Sequence, residues 1–357
     1  MQYAVQWDEH QKEVNEADGP TRWSTKDPPN EIPTKEHSTV VRLNRTMFAL
    51  FVAIGLVLSS FSGATAAAQD LPTITVGSKN FTEQIVVGEM IALLLEDAGY
   101  PVERQLNLAS TGVVHEALLS GDVDVYVEYT GTGLLAVLGM ELPAADATPA
   151  TDEATPAVAG VDPVYEIVAA EYQEQFNVTW LEPWGFNNTY TLALRGDQAT
   201  ELGVVTISDL LDHDQDLVLG ATQEFLVRDD GLLGLEAVYG LEFADSVGLD
   251  PGLIYGAVES GDVDVISAFA TDGRIPALGL TLLEDDLGFF PPYFAAPVVR
   301  TEILEESPEV ADILNQLSGM IDDQTMADLN FQVDDGGMEA VDVARAFLVD
   351  QGLIAGE

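Results

Sequence analysis

The sequence predicts an α/β protein made of two similar lobes. Three observations carry that reading. First, Ser120-Gly121-Asp122-Val123-Asp124-Val125 recurs as Ser260-Gly261-Asp262-Val263-Asp264-Val265, each copy following a helix-like segment (His115 to Leu119, Leu253 to Glu259). Second, each copy runs on as a β-rich stretch ending on an aromatic, Tyr129 or Phe269, with a further glycine (Gly133, Gly273) beyond it. Third, Ile74-Thr75-Val76-Gly77 and Leu217-Val218-Leu219-Gly220 precede the copies as strands that end on glycine. Strand–loop–helix units repeated at matched spacing are the pattern of parallel strands joined by helical crossovers.

Taken in order, residues 1–40 are polar and aperiodic, and read as disordered or as lying upstream of a true start at Val41. Residues 41–68 read as a signal peptide. Arg42 and Arg45 flank an apolar core from Met47 to Leu58, and Ala66-Ala67-Ala68 offers a cleavage site before Gln69. The apolar run is short for a membrane span. In the first helix Asn80 is placed to cap and Glu83 to complete a capping box; Ile85, Val86, Met90, Leu93 and Leu94 form the apolar face, and Gly99 ends it. Residues 141–163, rich in Ala, Thr and Pro, read as a flexible surface insertion, after which Tyr165 to Tyr172 resumes a helix. Gly185 and the Pro291-Pro292 pair mark abrupt changes of course. They place two hinge crossovers near Trp184–Thr189 and Phe290–Tyr293, so lobe one is 69–187 plus 292–357 and lobe two is 188–291.

Composition narrows the function. The 357-residue chain carries 61 acidic against 13 basic residues, a formal charge of −48. Nucleic acid and anionic membrane surfaces need clustered Lys and Arg, so both are excluded as partners. Such self-repulsion is tolerable mainly where salt screens it. Without cysteine, there are no disulfides, no thiolate catalysis and no Cys-based metal site.

Lys79 is the only lysine beyond the leader, set between a strand and a helix start, where a cation and a helix dipole together attract anions. Tyr129, Tyr190, Phe269 and Tyr293 fall at strand ends and crossings, which share an inter-lobe address. A quaternary ammonium donates no hydrogen bond, but ring faces hold it at roughly 0.5–2 kcal/mol each when desolvated. With Lys79 and Arg228 alongside, such a box suits a zwitterion whose cationic head meets the rings and whose carboxylate meets the bases; Thr132 adds a hydroxyl.

Only His115 and His213 follow the leader, one in a helix and one in an acidic loop, and no metalloprotease, nucleophile-elbow or phosphate-loop pattern occurs. The enzymatic alternative is a secreted acidic two-carboxylate hydrolase, although nothing marks the pair. Trp180 and Trp184 read as core and hinge packing.

Gly-Ser-Lys-Asn-Phe-Thr-Glu-Gln, Tyr-Val-Glu-Tyr-Thr-Gly-Thr, Gly-Phe-Asn-Asn-Thr-Tyr, Glu-Phe-Leu-Val-Arg, Thr-Asp-Gly-Arg, Leu-Glu-Asp-Asp-Leu-Gly-Phe-Phe-Pro-Pro-Tyr and Met-Ala-Asp-Leu-Asn stand in that order. From residue 73 to about 354 the chain resembles the glycine betaine/choline/carnitine substrate-binding proteins of osmoprotectant ABC importers. The resemblance implies a type II periplasmic-binding-protein fold whose lobes close on the ligand. It also implies a monomeric, non-enzymatic receptor without cofactor, exported to the periplasm or the outer face of the cytoplasmic membrane. Such a receptor serves a permease and an ATPase; another trimethylammonium compound such as ergothioneine is the alternative ligand. Tyr129, Tyr190 and Tyr293 match cage tyrosines, and Lys79, Thr132 and Arg228 match the carboxylate grip. The Asn188 carbonyl matches a backbone contact to the cation. Phe269 stands where the family usually has tyrosine, which keeps a ring face and loses a phenol.

Overall fold

The computed structural model describes residues 71–143 and 162–356. The leader, the segment before it and residues 144–161 of the insertion lie outside them. Among the described residues ten strands follow in chain order: β1 (Ile74–Gly77), β2 (Val102–Gln105), β3 (Val125–Tyr129), β4 (Val178–Trp180), β5 (Tyr190–Arg195), β6 (Val218–Thr222), β7 (Asp245–Leu249), β8 (Val265–Phe269), β9 (Leu280–Leu282) and β10 (Ala295–Arg300). They form two five-stranded sheets, β2-β1-β3-β10-β4 and β7-β6-β8-β5-β9. In each, three parallel strands are followed by an antiparallel one, β10 or β5. The fold is α/β with two lobes, as the repeat implies.

The repeat has a structural cause. The helices α1 (Thr82–Asp97), α2 (Thr111–Ser120), α3 (Pro163–Phe176), α4 (Leu232–Tyr239) and α5 (Pro251–Ser260) cover the sheets. Helices α2 and α5 end on Gly121 (φ 82°) and Gly261 (φ 78°), left-handed positions that a Cβ would strain. The hydroxyl of Ser120 donates to Asp122 at 3.0 Å, and that of Ser260 to Asp262 at 2.8 Å. One turn further, Asp124 accepts the Thr75 N–H at 2.9 Å and Asp264 the Val218 N–H at 3.0 Å. Each Asp-Val-Asp-Val thus spends its acids on the turn and on the start of the neighbouring strand, and its valines on the core.

The N-terminus of α1 departs from expectation. The flanking residue is Phe81, and no side chain caps the helix, so the capping box of Asn80 and Glu83 does not form. Glu83 turns inward instead and is 3 % exposed, because better donors wait there than its own backbone offers. Against α1 pack α6 (Asp323–Asp334) and α7 (Ala340–Asp350). Asp322 caps α6 by accepting the Thr325 N–H at 2.8 Å.

The chain leaves the first sheet after Trp180, enters the second at Tyr190, and returns between Leu282 and Ala295. The two crossing segments pair with each other through an antiparallel bridge between Asn187 and Phe294. The Asn188 N–H donates to the Tyr293 carbonyl at 3.1 Å, and the Tyr293 N–H to the Asn187 side chain at 2.7 Å. Trp184, within the outgoing segment, is buried and its backbone N–H donates to the Ala295 carbonyl at 2.9 Å, while Trp180 is buried in a separate cluster against Tyr165 and Tyr172.

Candidate functional site

Strand ends aim side chains at one place because parallel α/β units leave a crevice beyond their carboxyl ends. Lys79 follows β1, Tyr129 ends β3, Arg228 follows β6, Phe269 ends β8, Tyr190 opens β5, and Tyr293 precedes β10. All six, with Thr132 and Asn188, line one cavity of about 120 Å³. The structure therefore brings the eight residues of the expected cage and carboxylate grip to one cavity.

The rings form a continuous wall. Phe81 stacks on Phe269 with centroids 5.3 Å apart and an 8° interplanar angle, and lies 6.3 Å from Tyr129. Tyr190 lies 4.9 Å from Phe269 and meets Tyr293 edge-on at 5.5 Å and 89°. Phe81 was not anticipated. The one available signal was its place two residues after Lys79, in the same loop. Burial pushes the hydroxyls of Tyr129, Tyr190 and Tyr293 above the ordinary tyrosine range, so the wall is made of neutral phenols.

The bases are not free charges. Lys79 Nζ lies 2.5 Å from Glu128 Oε1, and Glu128 has no exposed surface. A carboxylate at the fourth position of a fully buried strand would be untenable alone, and the lysine is what makes it tolerable. Arg228 Nε donates to Asp230 Oδ1 at 2.6 Å and Nη2 to Oδ2, the planar fork that guanidinium favours, while Nη1 reaches Glu224 at 3.2 Å. The Tyr293 hydroxyl also donates to Asp230, at 2.8 Å. Arg228 Nη2 reaches Thr132 Oγ1 at 3.4 Å, which joins the lobes across the cavity. Both cations are therefore compensated by carboxylates. Of the three N–H groups of a lysine, Lys79 spends one on Glu128; of the five of an arginine, Arg228 spends three on Asp230 and Glu224 and a fourth on Thr132, so each keeps at least one for an anion.

Glu83, like Glu128, is a further residue that the sequence did not single out for the site. Its Oε1 accepts the Tyr129 hydroxyl and the Asn188 amide, both at 2.7 Å; its Oε2 accepts the Thr271 hydroxyl at 2.5 Å and the Asn330 amide at 3.1 Å. Burial pushes its pKa up, against the downward pull of those bonds. Beside the carboxylate, a smaller cavity of about 20 Å³ is lined by Asn188, Thr271 and Asn330.

His115 is buried against Tyr172 and Phe176, its ring centroid 5.5 and 4.9 Å from theirs, and burial pushes its pKa down. It lies outside the cavity lining. Among the described residues no cluster of His, Cys, Asp and Glu has the makings of a metal site. No helix of these residues is long and apolar enough to cross a membrane.

A family profile for the substrate binding domain of ABC-type glycine betaine transport systems matches residues 72–350. The carnitine transport binding protein OpuCC of Listeria monocytogenes is 35% identical over 311 residues, 86% of this chain and 96% of that protein. A glycine-betaine-binding protein of Pseudomonas aeruginosa is 34% identical over 323 residues, covering 87% of this chain and 96% of its own. The ergothioneine transport permease/ergothioneine binding protein EgtU of Helicobacter pylori is 35% identical over 309 residues, 86% of this chain; the match spans 53% of that longer protein. Among solved structures, a glycine betaine/carnitine/choline ABC transporter protein superposes with a TM-score of 0.61 at 30% identity, over 78% of this chain and 99% of its own. These relatives are transport proteins, and nothing in the comparisons favours the two-carboxylate hydrolase.

Proposed function

The chain belongs to the family of substrate-binding domains of ABC-type glycine betaine transport systems, and we propose that it is an extracytoplasmic receptor for a small quaternary amine, glycine betaine or a related zwitterion. The observation that carries this reading is the wall of five rings bordering one cavity with Lys79, Thr132 and Arg228. Tyr129, Tyr190, Phe269, Tyr293 and Phe81 offer π faces to a methylated nitrogen that has no hydrogen to donate. The backbone carbonyl of Asn188 adds a partial negative charge for that head. The spare N–H groups of Lys79 and Arg228, with the Thr132 hydroxyl, receive the carboxylate.

In this reading the receptor acts without catalysis, as a monomer, and hands its ligand to a permease driven by an ATPase. The segment at 41–68 exports it. Ligand contacts from both lobes shift the population toward the closed arrangement.

Thermal melting with glycine betaine, choline, carnitine, proline betaine and ergothioneine tests the proposal. A ligand at 100 times its dissociation constant adds about 2.7 kcal/mol of stability. Stabilisation by at least one quaternary amine supports the reading. No shift with any of them, alongside turnover of a glycoside or ester, overturns it.

A further inference from the structure

Four side chains from four distant segments converge on the Glu83 carboxylate, and one of them, Thr271, comes from just beyond β8 of the second sheet while another, Asn188, stands in the crossover between the sheets. Tyr129 ends β3 of the first sheet, Asn188 sits in the outgoing crossover, and Asn330 lies on α6, which packs on α1. Thr271 follows β8 of the second sheet by two residues. Its hydroxyl reaches Glu83 Oε2 at 2.5 Å, while its carbonyl accepts the Asn330 amide at 2.9 Å. Next to it, Gly273 packs so closely on α6 that an added Cβ would lie 2.4 Å from Cβ of Phe331 and 2.5 Å from the Ala327 carbonyl oxygen. Arg274 completes the seam with a 3.3 Å ion pair to Asp334, whose other oxygen accepts the Thr82 hydroxyl at 2.5 Å.

A buried carboxylate is expensive to desolvate, and four donors are what make it tolerable. The removal of one donor by lobe separation would leave the charge under-satisfied. The bond from Thr271 is thus a contact made only while the lobes are together, and its partner carboxylate also orients two residues of the ring-lined cavity, Tyr129 and Asn188. We infer that Glu83 is the positioning residue of closure: it sets Tyr129 and Asn188 for the ligand and latches the second lobe through Thr271.

This inference rests on the receptor reading, and the test separates the two. The chain has no cysteine, so Glu116→Cys and Glu259→Cys, both exposed and on the equivalent helices α2 and α5, accept spin labels for inter-lobe distances. Distances are measured without ligand and with glycine betaine, in the parent and in Thr271→Val, Thr271→Ser and Glu83→Gln. Stopped-flow fluorescence gives association and dissociation rates. Thr271→Val keeps the branched shape and removes the hydroxyl; serine restores it. Valine should shift the distance distribution to longer values and raise the dissociation rate roughly tenfold, the scale of one hydrogen bond to a charged group, with association nearly unchanged. Serine should return both readouts to the parent. Glu83→Gln should do at least as much as valine, since an amide places an N–H against donors. Unchanged distances in both Thr271→Val and Glu83→Gln would overturn the latch, whatever the binding result. Failure of the parent to bind any quaternary amine would instead count against the receptor reading, with the ligand-free distances still scoring the latch.

Discussion

Lys79 and Glu128 form a buried ion pair, with Nζ 2.5 Å from Oε1 and both side chains at most 5% exposed. The lysine made conspicuous by its rarity is therefore half of an internal pair before it is anything else.

Loss of one member leaves the other charge buried. Glu128→Gln should destabilise the protein by about 3–5 kcal/mol in urea unfolding. A loss below about 1 kcal/mol, the scale of an exposed pair, would mean water reaches the site.

Phe81 stands in the ring wall between Tyr129 and Phe269. Phe81→Ala should weaken glycine betaine, choline and carnitine alike, by a factor of about 2 to 30 for a lost face worth roughly 0.5–2 kcal/mol. Calorimetry across the three amines checks it; unchanged affinities would place the cation elsewhere.

Gly131 has no room for a side chain: an added Cβ would lie 2.7 and 2.8 Å from two carbons of the Tyr293 ring. Gly131→Ala should displace that ring from Asp230 and lower affinity by about tenfold or more, the scale of a lost charged hydrogen bond. Gly112→Ala, where nothing lies within 4 Å of the added carbon, is the control that should bind normally.

In the proposed reading Arg228 bears on the ligand's carboxylate and not on its methylated nitrogen. Arg228→Ala also strips Asp230 of its partner, a cost shared by every ligand. The ratio of betaine to choline affinity cancels that cost. It should fall by about tenfold or more, as a charge-assisted bond is lost to betaine alone. An unchanged ratio would show that the arginine does not touch the ligand.

Acidity should first help this protein and then harm it. Burial raises the carboxyls of Glu83, Asp323 and Asp334. For such a group the folded chain holds a proton that the unfolded chain has lost, so its contribution improves as pH falls through the folded value, until the unfolded one is reached. Glu96, bonded to Arg104, and Asp322, bonded to Thr325, are held low, and what they contribute is lost as pH drops through their folded values. Self-repulsion of a chain at −48 eases in the same upper range. The melting temperature should therefore rise as the pH falls from neutrality toward the ordinary carboxylate range, and fall once the pH drops below that range. Glu83→Gln should flatten the rise; a profile identical to the parent would show that Glu83 does not titrate there.

The two-lobe architecture was legible because its evidence is local. A strand, a left-handed glycine and an Asp-Val-Asp-Val return at fixed spacing, and local geometry demands them in both places. The positions of Lys79, Tyr129 and Phe269 were legible because strand ends in such folds share an address; that of Arg228 came from the resemblance to the family. Glu83 was misread as a cap because a glutamate at the third helical position looks the same whether it serves its own backbone or distant partners. Those partners lie 46 to 247 residues away in sequence, beyond any windowed pattern. Phe81 was overlooked because one aromatic beside a helix start is ordinary core until the opposite ring is seen. Glu128 carried a signal that was passed over: an acid amid Val-Tyr-Val and Tyr in a buried strand calls for a cation.

Asn188 and Tyr293 belong at once to the paired crossover segments and to the rim of the cavity. The crossover between the sheets and the pocket wall are therefore one piece of backbone. Under the proposed function, prying the lobes apart against a transporter would warp the seat of the cargo directly, so unloading would need no separate trigger beyond mechanical leverage.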